Sequence, residues 1–324
     1  MNIADITPQT RVSGHYLVLR KEVRQGGRAG SFLDLTLCDA TGRVSAKVWD
    51  NAAAISEQFQ QGDVIEVSAA AETYRDELQL RLEKIRALSP DEANPSDFLP
   101  RSGKDLAALE RGLAETVKSI ENPHLHALLL NLFKDPDFRR DFVTAPAAKA
   151  LHHSYIGGLL EHTTEVVELC GKVVEVFPAL DRDLLIAGAI LHDIGKLEEL
   201  SWQTSFEYTD RGQLLGHLVM GEQRMRLEAD RIEGFPEHLR LLLSHMILSH
   251  HGVYEYGSPK LPMTAEAIAL HHAEDLDAKV NMFLGQIAVA REQGRKWTER
   301  HFLLQRALYA GPGEGEGEGD EGQG

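Results

Sequence analysis

The adjacent residues His192 and Asp193 are the strongest chemical signal in the sequence. They end an unbroken apolar run, residues 184–191. A helix that is apolar on every side is buried, and burying an imidazole beside an ionised carboxylate costs free energy unless a partner compensates both groups. Neighbouring helical positions point about 100° apart, so one ion lying between the two side chains could contact both. The pair therefore predicts a divalent-metal site at the end of a buried helix.

His162 lies upstream of this pair in a stretch of helical periodicity, residues 158–177. It shares a face with Leu159 and Val166, which form part of the buried stripe of that helix. A lone histidine on such a face is most often a packed core residue, but pairing with a downstream His-Asp step makes His162 a candidate ligand. His153 is close enough in sequence to line the same pocket, although its default interpretation is structural.

Three further histidines lie downstream in mostly apolar surroundings. His217 follows Gly216, which permits close approach of the backbone, and His250 and His251 precede Gly252, where a helix is expected to end. Imidazoles at a helix terminus inside an apolar stretch suit a second metal ion. The other histidines of the chain are expected to be structural or exposed.

A carboxylate ligand is expected from residues 274–277. Glu274 and Asp277 are three residues apart and share a helix face, whereas Asp275 faces elsewhere. The alternative is that these acids form a solvated, negatively charged helix surface. The sequence leaves the choice among them open.

The candidate ligands supply nitrogen and oxygen donors and no thiolate. This set argues against a structural zinc site, which usually includes cysteine, and it suits Mn²⁺, Fe, Co²⁺, Ni²⁺ or catalytic Zn²⁺. Two such ions could hydrolyse a phosphodiester. Lys196, one turn after His192, could then act with Asp193 in catalysis by gripping a phosphate oxygen; alternatively it is a helix-end lysine that offsets the helix dipole.

Length, charge and cysteine content limit the class of protein. The chain has 324 residues, which favours about two domains, and no apolar run approaches the length of a membrane helix. The two cysteines, Cys38 and Cys170, fall in different predicted domains, so we expect a reducing, cytoplasmic location. The net charge is −16, of which five acids lie in the tail, leaving −11. This counts against a protein that coats nucleic acid through bulk charge.

The organisation expected is an N-terminal β-domain followed by an all-α domain. Residues 1–88 alternate and turn like five antiparallel strands with a short helix between the third and fourth, which is typical of an OB-fold barrel. A tight Asp-Ala-Thr-Gly turn is expected at 39–42 and the helix at 51–60, and apolar positions within 64–67 and 78–82 identify the last two strands. A polar, proline-containing linker spans 89–101. Helical periodicity covers 102–310, and 311–324 is a low-complexity Gly/Glu tail expected to be disordered.

Aromatic and basic residues of the β-domain could bind a single-stranded nucleic acid. Such surfaces combine stacking platforms with positive charge. The candidates are Phe32, Lys47, Trp49, Tyr74 and Arg75. The alternative is that Phe32 and Trp49 fill the barrel core and that the basic residues are solvated surface.

The order His162, His192–Asp193 and a late acid resembles the HD superfamily of metal-dependent phosphohydrolases. His217, His250 and His251 resemble its two-metal branch, in which the aspartate of the pair bridges the ions. The blocks that extend the likeness are similar to YhaM-type 3′–5′ exoribonucleases. These blocks are residues 153–163, 191–200, 206–209, 215–217, 247–252, 257–259 and 276–279.

The resemblance implies a metal-dependent enzyme that hydrolyses single-stranded RNA, or DNA, from a 3′ end and releases nucleoside monophosphates. It also implies that two divalent ions are bound, with Mn²⁺ favoured. One departure is that Glu274 stands where the family has an aspartate, so either Glu274 or Asp277 takes the ligand role. Two rival functions are a phosphohydrolase of nucleotides or cyclic dinucleotides and a non-enzymatic RNA-binding scaffold with a residual metal site.

Overall fold

The computed structural model describes residues 1–26, 30–74, 77–89, 91–149, 153–300 and 304–312. Five strands of the N-terminal region close into a barrel with the order β1-β2-β3-β5-β4, in which β3 and β5 run parallel. A short helix, α1 (Ala52–Ser56), lies between β3 and β4. The strands are β1 (Arg11–Gly26), β2 (Gly30–Asp39), β3 (Gly42–Val48), β4 (Val64–Tyr74) and β5 (Glu77–Ala87). This topology confirms the predicted OB-like barrel.

The alternating sequence of the strands determines which side chains fill the barrel. Leu33, Leu35 and Leu37 of β2 are buried, as are Val44 and Ala46 of the neighbouring strand β3. Side chains at every second position point to the same face of a strand, so a register slip of one residue would expose this set. The interior is therefore a packed hydrophobic core.

The turn between β2 and β3 is closed by one side chain. Asp39 Oδ1 accepts hydrogen bonds from the backbone N–H groups of Thr41 (2.8 Å) and Gly42 (3.1 Å), and Asp39 Oδ2 accepts one from the N–H of Ile3 (2.7 Å). Aspartate favours turns because its carboxylate satisfies nearby backbone donors in this way. The predicted Asp-Ala-Thr-Gly turn thus also ties down the N-terminal segment.

The rest of the chain is predominantly helical, as predicted. A two-residue pairing of β6 (Leu200–Ser201) with β7 (Glu207–Tyr208) interrupts it. No helix of the described residues is long and apolar enough to cross a bilayer. The helices are α2 (Leu106–Lys118), α3 (Pro123–Lys134), α4 (Pro136–Thr144), α5 (Gly158–Val176), α6 (Arg182–Leu191), α7 (Lys196–Glu199), α8 (Asp210–Ala229), α9 (Glu237–Ser249) and α10 (Ala265–Glu292).

Side-chain caps set the start of most of the longer helices. A capping oxygen satisfies a backbone N–H group that has no partner inside the helix, and losing it costs about 1 kcal/mol. The capping residues are Asp105, Asn122, Asp135, Asp181, Thr209 and Thr264. The capping residues before α6, α8 and α10 determine where the helices that carry candidate site residues begin.

Helix α6 is the centre of the helical domain. Its residues from Leu184 to Leu191 are all buried, and it packs against α5, α9 and α10. The apolar run is therefore surrounded by other helices on every side, as its composition predicts. His192 and Asp193 follow the end of this helix and therefore lie in the middle of the domain.

The segment between the two domains is packed rather than extended into solvent. Leu99 from this segment is fully buried, in a cluster with Leu17 and Cys38 of the barrel and Ile156 and Phe206 of the helical domain. The 3₁₀ turn Pro95–Phe98 lies in the same segment. The apolar contacts join barrel, connecting segment and helical domain in one cluster, which the polar composition of the linker does not predict.

Several element bounds differ from the prediction. The helix expected over about 51–60 is confined to Ala52–Ser56, and β4 and β5 extend well beyond the apolar positions that identified them. The extra length of β4 and β5 comes from polar and charged residues such as Glu72 and Glu77, whose pairing is set by the neighbouring strand. Most of the Gly/Glu tail, residues 313–324, lies outside the described residues.

Candidate metal centre

Asp193 lies at the meeting point of five histidines. Its side chain is 2% exposed, and its two carboxylate oxygens face different groups of imidazoles. We call Oδ2 with His162 and His192 the His162 half of the centre. We call Oδ1 with His217, His250 and His251 the His217 half.

In the His162 half, three potential ligand atoms converge. The Nε2 atoms of His162 and His192 are 3.2 Å apart. They lie 3.4 Å and 3.3 Å, respectively, from Asp193 Oδ2. This triangle brings together residues from α5 and from the end of α6, and its three atoms are close enough to share one ion.

In the His217 half, the partners come from α8 and from the end of α9. His217 Nε2 is 3.3 Å from His251 Nε2 and 3.5 Å from Asp193 Oδ1. His250 Nε2 is 3.6 Å from the same oxygen. The structure therefore brings all five predicted histidines to the predicted aspartate.

Every one of these rings is oriented through its other nitrogen. Each Nδ1–H donates to a carbonyl or carboxylate oxygen, so each Nε2 is directed at the centre and carries the lone pair when the ring is neutral. The acceptors are Asp277 Oδ2 for His162 (2.6 Å), Ala189 O for His192 (2.7 Å), Glu199 Oε1 for His217 (2.9 Å), Ile247 O for His250 (2.8 Å) and Tyr256 O for His251 (2.8 Å). Five inward-facing lone pairs form a donor set suited to metal ions.

Two atoms of the centre are buried without a hydrogen-bond partner among the described residues. They are Asp193 Oδ1 and His250 Nε2. A buried acceptor left unsatisfied costs about 1–3 kcal/mol, and more when it is charged. Both atoms are acceptors. A further neutral acceptor therefore cannot satisfy them, whereas a divalent cation can. The residues therefore fit a metal.

Burial and charge act differently on the two halves. Burial lowers the pKa of His162, but hydrogen bonds to Asp193 and Asp277 outweigh it and raise that pKa to about 9. Burial, reinforced by neighbouring imidazoles, lowers the pKa of His251 to about 4 and holds that of His250 well below its ordinary value. His250 and His251 of the His217 half are therefore neutral at neutral pH.

Lys196 contacts the Asp193 carboxylate directly. Its Nζ lies 2.6 Å from Asp193 Oδ2, and the side chain is buried. Burial lowers the pKa of Lys196, but the charge of Asp193 outweighs it and raises that pKa. The contact of this lysine with a phosphate oxygen stays a prediction.

The three late acids of α10 occupy different surroundings. Asp277 is buried on the Nδ1 side of His162. Burial raises the pKa of Glu274, while the charges of His162 and His192 oppose the rise. Asp275 pairs with Lys279 at 2.7 Å. Glu274 thus experiences the charge of the centre, whereas Asp275 is engaged elsewhere.

Gly216 explains how α8 presents His217. Its backbone angles (φ 73°, ψ 156°) are not helical and kink α8, and only glycine adopts such a conformation without strain. A Cβ at this position would meet only the Glu199 carboxylate, at 4.0 Å. The glycine is therefore needed for its conformation, not for the close approach expected from the sequence.

Four polar residues support the centre, and only His153 among them was expected to line its pocket. Glu199 accepts from both Nδ1–H and the backbone N–H (3.0 Å) of His217. His153, Glu165 and Asn281 lie around Asp277. Glu199 falls inside a block that carries the family resemblance, and that resemblance is the signal that could have found it.

The nucleic-acid candidates are only partly brought together. The rings of Phe32 and Trp49 pack with centroids 4.8 Å apart, and Lys47 Nζ lies 5.2 Å above the Phe32 ring. Trp49 is 42% exposed, so it does not fill the barrel core. Tyr74 is 58% exposed. Arg75 lies outside the described residues.

Comparison with known proteins identifies both modules. A family model described as HD domain matches residues 159–279, and one described as OB-fold nucleic acid binding domain matches residues 17–88. The fold and site thus define an HD-domain protein with an N-terminal OB fold. The chain is 34% identical over 299 residues to 3′-5′ exoribonuclease YhaM of Bacillus subtilis (strain 168), covering 92% of this chain and 94% of that protein. It belongs to the YhaM family.

Several of the solved structures that resemble the chain are OB domains. One is the second OB-fold domain of replication protein A from Methanococcus maripaludis, with 20% identity, 28% of this chain and 94% of that chain covered, and a TM-score of 0.24. Another is an OB domain from Methanosarcina mazei, with 22% identity, 27% and 82% covered, and a TM-score of 0.24. At these scores the likeness carries no argument about this chain.

Proposed function

We propose that the protein is a metal-dependent 3′–5′ exoribonuclease that releases nucleoside monophosphates from single-stranded RNA, and also from single-stranded DNA. The observation that carries the proposal is the bridging position of Asp193, with one oxygen facing each group of histidines. Membership of the YhaM family, shown by 34% identity over nearly the whole chain, supports the substrate class. We place the activity in the cytoplasm, in keeping with the two free cysteines.

We assign two divalent ions to the centre. His162, His192, Asp193 and Glu274 would hold the first, and Asp193, His217, His250 and His251 the second. Asp277 would orient His162 from behind. Nitrogen and oxygen donors suit several metals, among which we favour Mn²⁺ over Fe, Co²⁺, Ni²⁺ and Zn²⁺. When bound, such a pair activates a water and neutralises the charge that develops on a phosphate.

The chain's own groups would organise the reaction around this chemistry. Hydrolysis adds water to phosphorus and breaks the bond to the 3′ oxygen, which takes up a proton as the terminal nucleoside 5′-monophosphate leaves. Asp193 keeps the two halves in register. Lys196, held against Asp193 by its charge, would move within reach of a nonbridging phosphate oxygen. The surrounding helices exclude bulk water, which strengthens these charge interactions.

The barrel would bind the single-stranded RNA. An aromatic platform beside a cation binds bases regardless of their identity, and Trp49 with Phe32 and Lys47 provides such a combination. Tyr74 and Arg75 would extend it. A strand bound here by several nucleotides would present its 3′ end to the centre repeatedly, which favours stepwise degradation.

The product pattern on 5′-labelled RNA tests the proposal. With Mn²⁺ present we expect a ladder that shortens one nucleotide at a time from the 3′ end, together with free nucleoside monophosphates. Internal cleavage, or no cleavage with any of the metals named above, would contradict it. Blocking the 3′ end with a terminal phosphate is the matched control, since it should slow degradation without altering strand binding.

A phosphohydrolase of nucleotides or cyclic dinucleotides would use the same centre, and the acidic charge of −16 favours it. Deleting the barrel does not separate the two functions, because Leu17 and Cys38 pack against Ile156 and Phe206 of the helical domain. The Trp49→Ala variant does. Base stacking contributes about 1–3 kcal/mol, so we expect KM for RNA to rise about 5- to 150-fold while hydrolysis of a small phosphodiester is unchanged.

A further inference from the structure

A buried polar cluster lies behind His162, on the side of the ring that faces away from Asp193. Its centre is Asp277, whose Oδ2 accepts from His162 Nδ1 at 2.6 Å. His153 Nε2 lies 3.3 Å from the same oxygen and 3.4 Å from Glu165 Oε2. Asn281 Nδ2 donates to Asp277 Oδ1 and to Glu165 Oε2, each at 3.0 Å. Both oxygens of Asp277 are thus engaged by side chains.

The backbone holds His153 in an unusual conformation to achieve this. Its φ of 51° lies in the left-handed region, where residues other than glycine are uncommon. Its carbonyl accepts from the N–H groups of Ala147 (3.1 Å) and Tyr155 (2.9 Å). A Cβ on Gly158 would lie 2.0 Å from that carbonyl oxygen, so only glycine fits there. Strain that the surroundings hold in place is typical of functional sites.

The charge of Glu165 is compensated from another direction. Lys104 Nζ forms ion pairs with Glu165 and with Glu161, the latter at 3.1 Å. A cation is therefore already present on the outer side of the cluster. Because Lys104 already compensates Glu165, we interpret the contacts of His153 and Asn281 as support for Asp277. A further metal ion between these groups is the weaker interpretation.

We propose that His153 and Asn281 are positioning residues that hold Asp277 in the orientation that fixes the ring of His162. The chain of contacts runs from His153 and Asn281 through the carboxylate to Nδ1 of His162, and the Nε2 lone pair then faces the His162 half of the centre. The proposal rests on the proposed function in one respect, since orienting His162 matters only if it ligates a metal. Replacing a residue that orients a ligating histidine typically lowers metal affinity by about 10- to 100-fold.

Variants of His153 that keep or remove its donor test the proposal. His153→Gln places an amide N–H near the position of Nε2, whereas His153→Phe fills the space without a donor. We expect His153→Phe and Asn281→Ala to weaken binding of one of two Mn²⁺ ions about 10- to 100-fold in a titration followed by electron paramagnetic resonance. His153→Gln should restore most of the affinity. His238→Gln, at an exposed histidine, is the matched control.

A purely structural role would give a different result. Melting temperatures measured in EDTA should be similar for His153→Phe and His153→Gln, because both fill the cavity. The proposal is overturned if the two variants bind Mn²⁺ equally, if both ions are weakened together, or if the wild-type protein binds three ions and His153→Gln loses one. Binding is measured without RNA, so a wild-type protein that binds Mn²⁺ and leaves RNA intact would contradict only the exoribonuclease proposal.

Discussion

The two halves of the centre differ in how the protein compensates their charge. In the His162 half, Lys196 lies against Asp193 Oδ2 and a carboxylate, Asp277, supports the ring. In the His217 half, a carboxylate likewise supports one ring, since Glu199 accepts from His217 Nδ1–H, while backbone carbonyls hold His250 and His251. The first half therefore has a lysine on its carboxylate oxygen, whereas in the second Asp193 Oδ1 has no hydrogen-bond partner among the described residues.

This difference indicates that a metal ion would enter each half on different terms. An ion in the His162 half would have to displace the proton of an imidazole whose pKa is about 9. An ion in the His217 half would meet two imidazoles whose pKa is lowered, His250 and His251, and two buried atoms without hydrogen-bond partners among the described residues. One carboxylate can thus face two groups of imidazoles with different electrostatics, because its oxygens point in different directions.

The largest expected effect comes from replacing the residue that both halves share. Asp193→Asn removes the negative charge and one of the two oxygens, so both ions should bind weakly. We expect the rate of RNA degradation to fall at least about 10³-fold, as for other groups that act as a unit. Initial rates with Mn²⁺ check this. Asp230→Asn, which changes an exposed aspartate, is the control, and a fall of less than tenfold would contradict the bridging role.

Removing one histidine from each half should separate the ions. His250→Ala should leave one bound ion, held by the His162 half, and His192→Ala should leave one held by the His217 half. We expect activity to fall at least about 100-fold in each, since both ions stabilise the charge on the phosphate. Metal per chain, measured by elemental analysis after dialysis, checks the prediction. Loss of both ions from either variant would show that the halves are not separable.

The sequence was sufficient to predict which histidines and which aspartate come together, and insufficient to predict the residues that support them. His192 and Asp193 were predictable because they are adjacent and end an apolar run, and His162 because its helix has a clear buried face. The bridging of Asp193 was suggested only by the family resemblance. Glu199 reaches His217 through a kink at Gly216 whose conformation no periodicity encodes.

The same distinction holds for the fold. The five strands and the turn at Asp39 follow from alternation and turn chemistry, both of which are local. The burial of Leu99 against Leu17 and Phe206 depends on how two distant modules meet. His153 was assigned a structural role by default, although it was expected close enough to His162 to line a pocket, and nothing in its neighbours predicts its left-handed backbone. Contacts set by tertiary packing were therefore the ones missed.

The support of His217 offers a finer test of the comparison. Glu199→Gln keeps an oxygen that can accept from Nδ1–H but removes the negative charge, so the ring should remain in place as a weaker ligand. We expect the ion of the His217 half to bind about 10-fold more weakly and the other ion to be unaffected. Mn²⁺ titration checks this, with Glu198→Gln, at the adjacent surface glutamate, as the control.

The two halves should also differ in the pH dependence of metal binding. Because the pKa of His162 is raised to about 9, its proton is present at pH 7 and must leave when an ion binds. Affinity for the ion of the His162 half should therefore rise about tenfold per pH unit from 7 and level off near 9. His251, with a pKa lowered to about 4, is already neutral throughout this range, so the ion of the His217 half should bind with nearly constant affinity.

Mn²⁺ titrations at pH 7, 8 and 9 on His250→Ala and His192→Ala measure each half separately. Equal slopes in the two variants would show that the proton of His162 does not distinguish the halves, and that Lys196 and Asp277 compensate the centre without it.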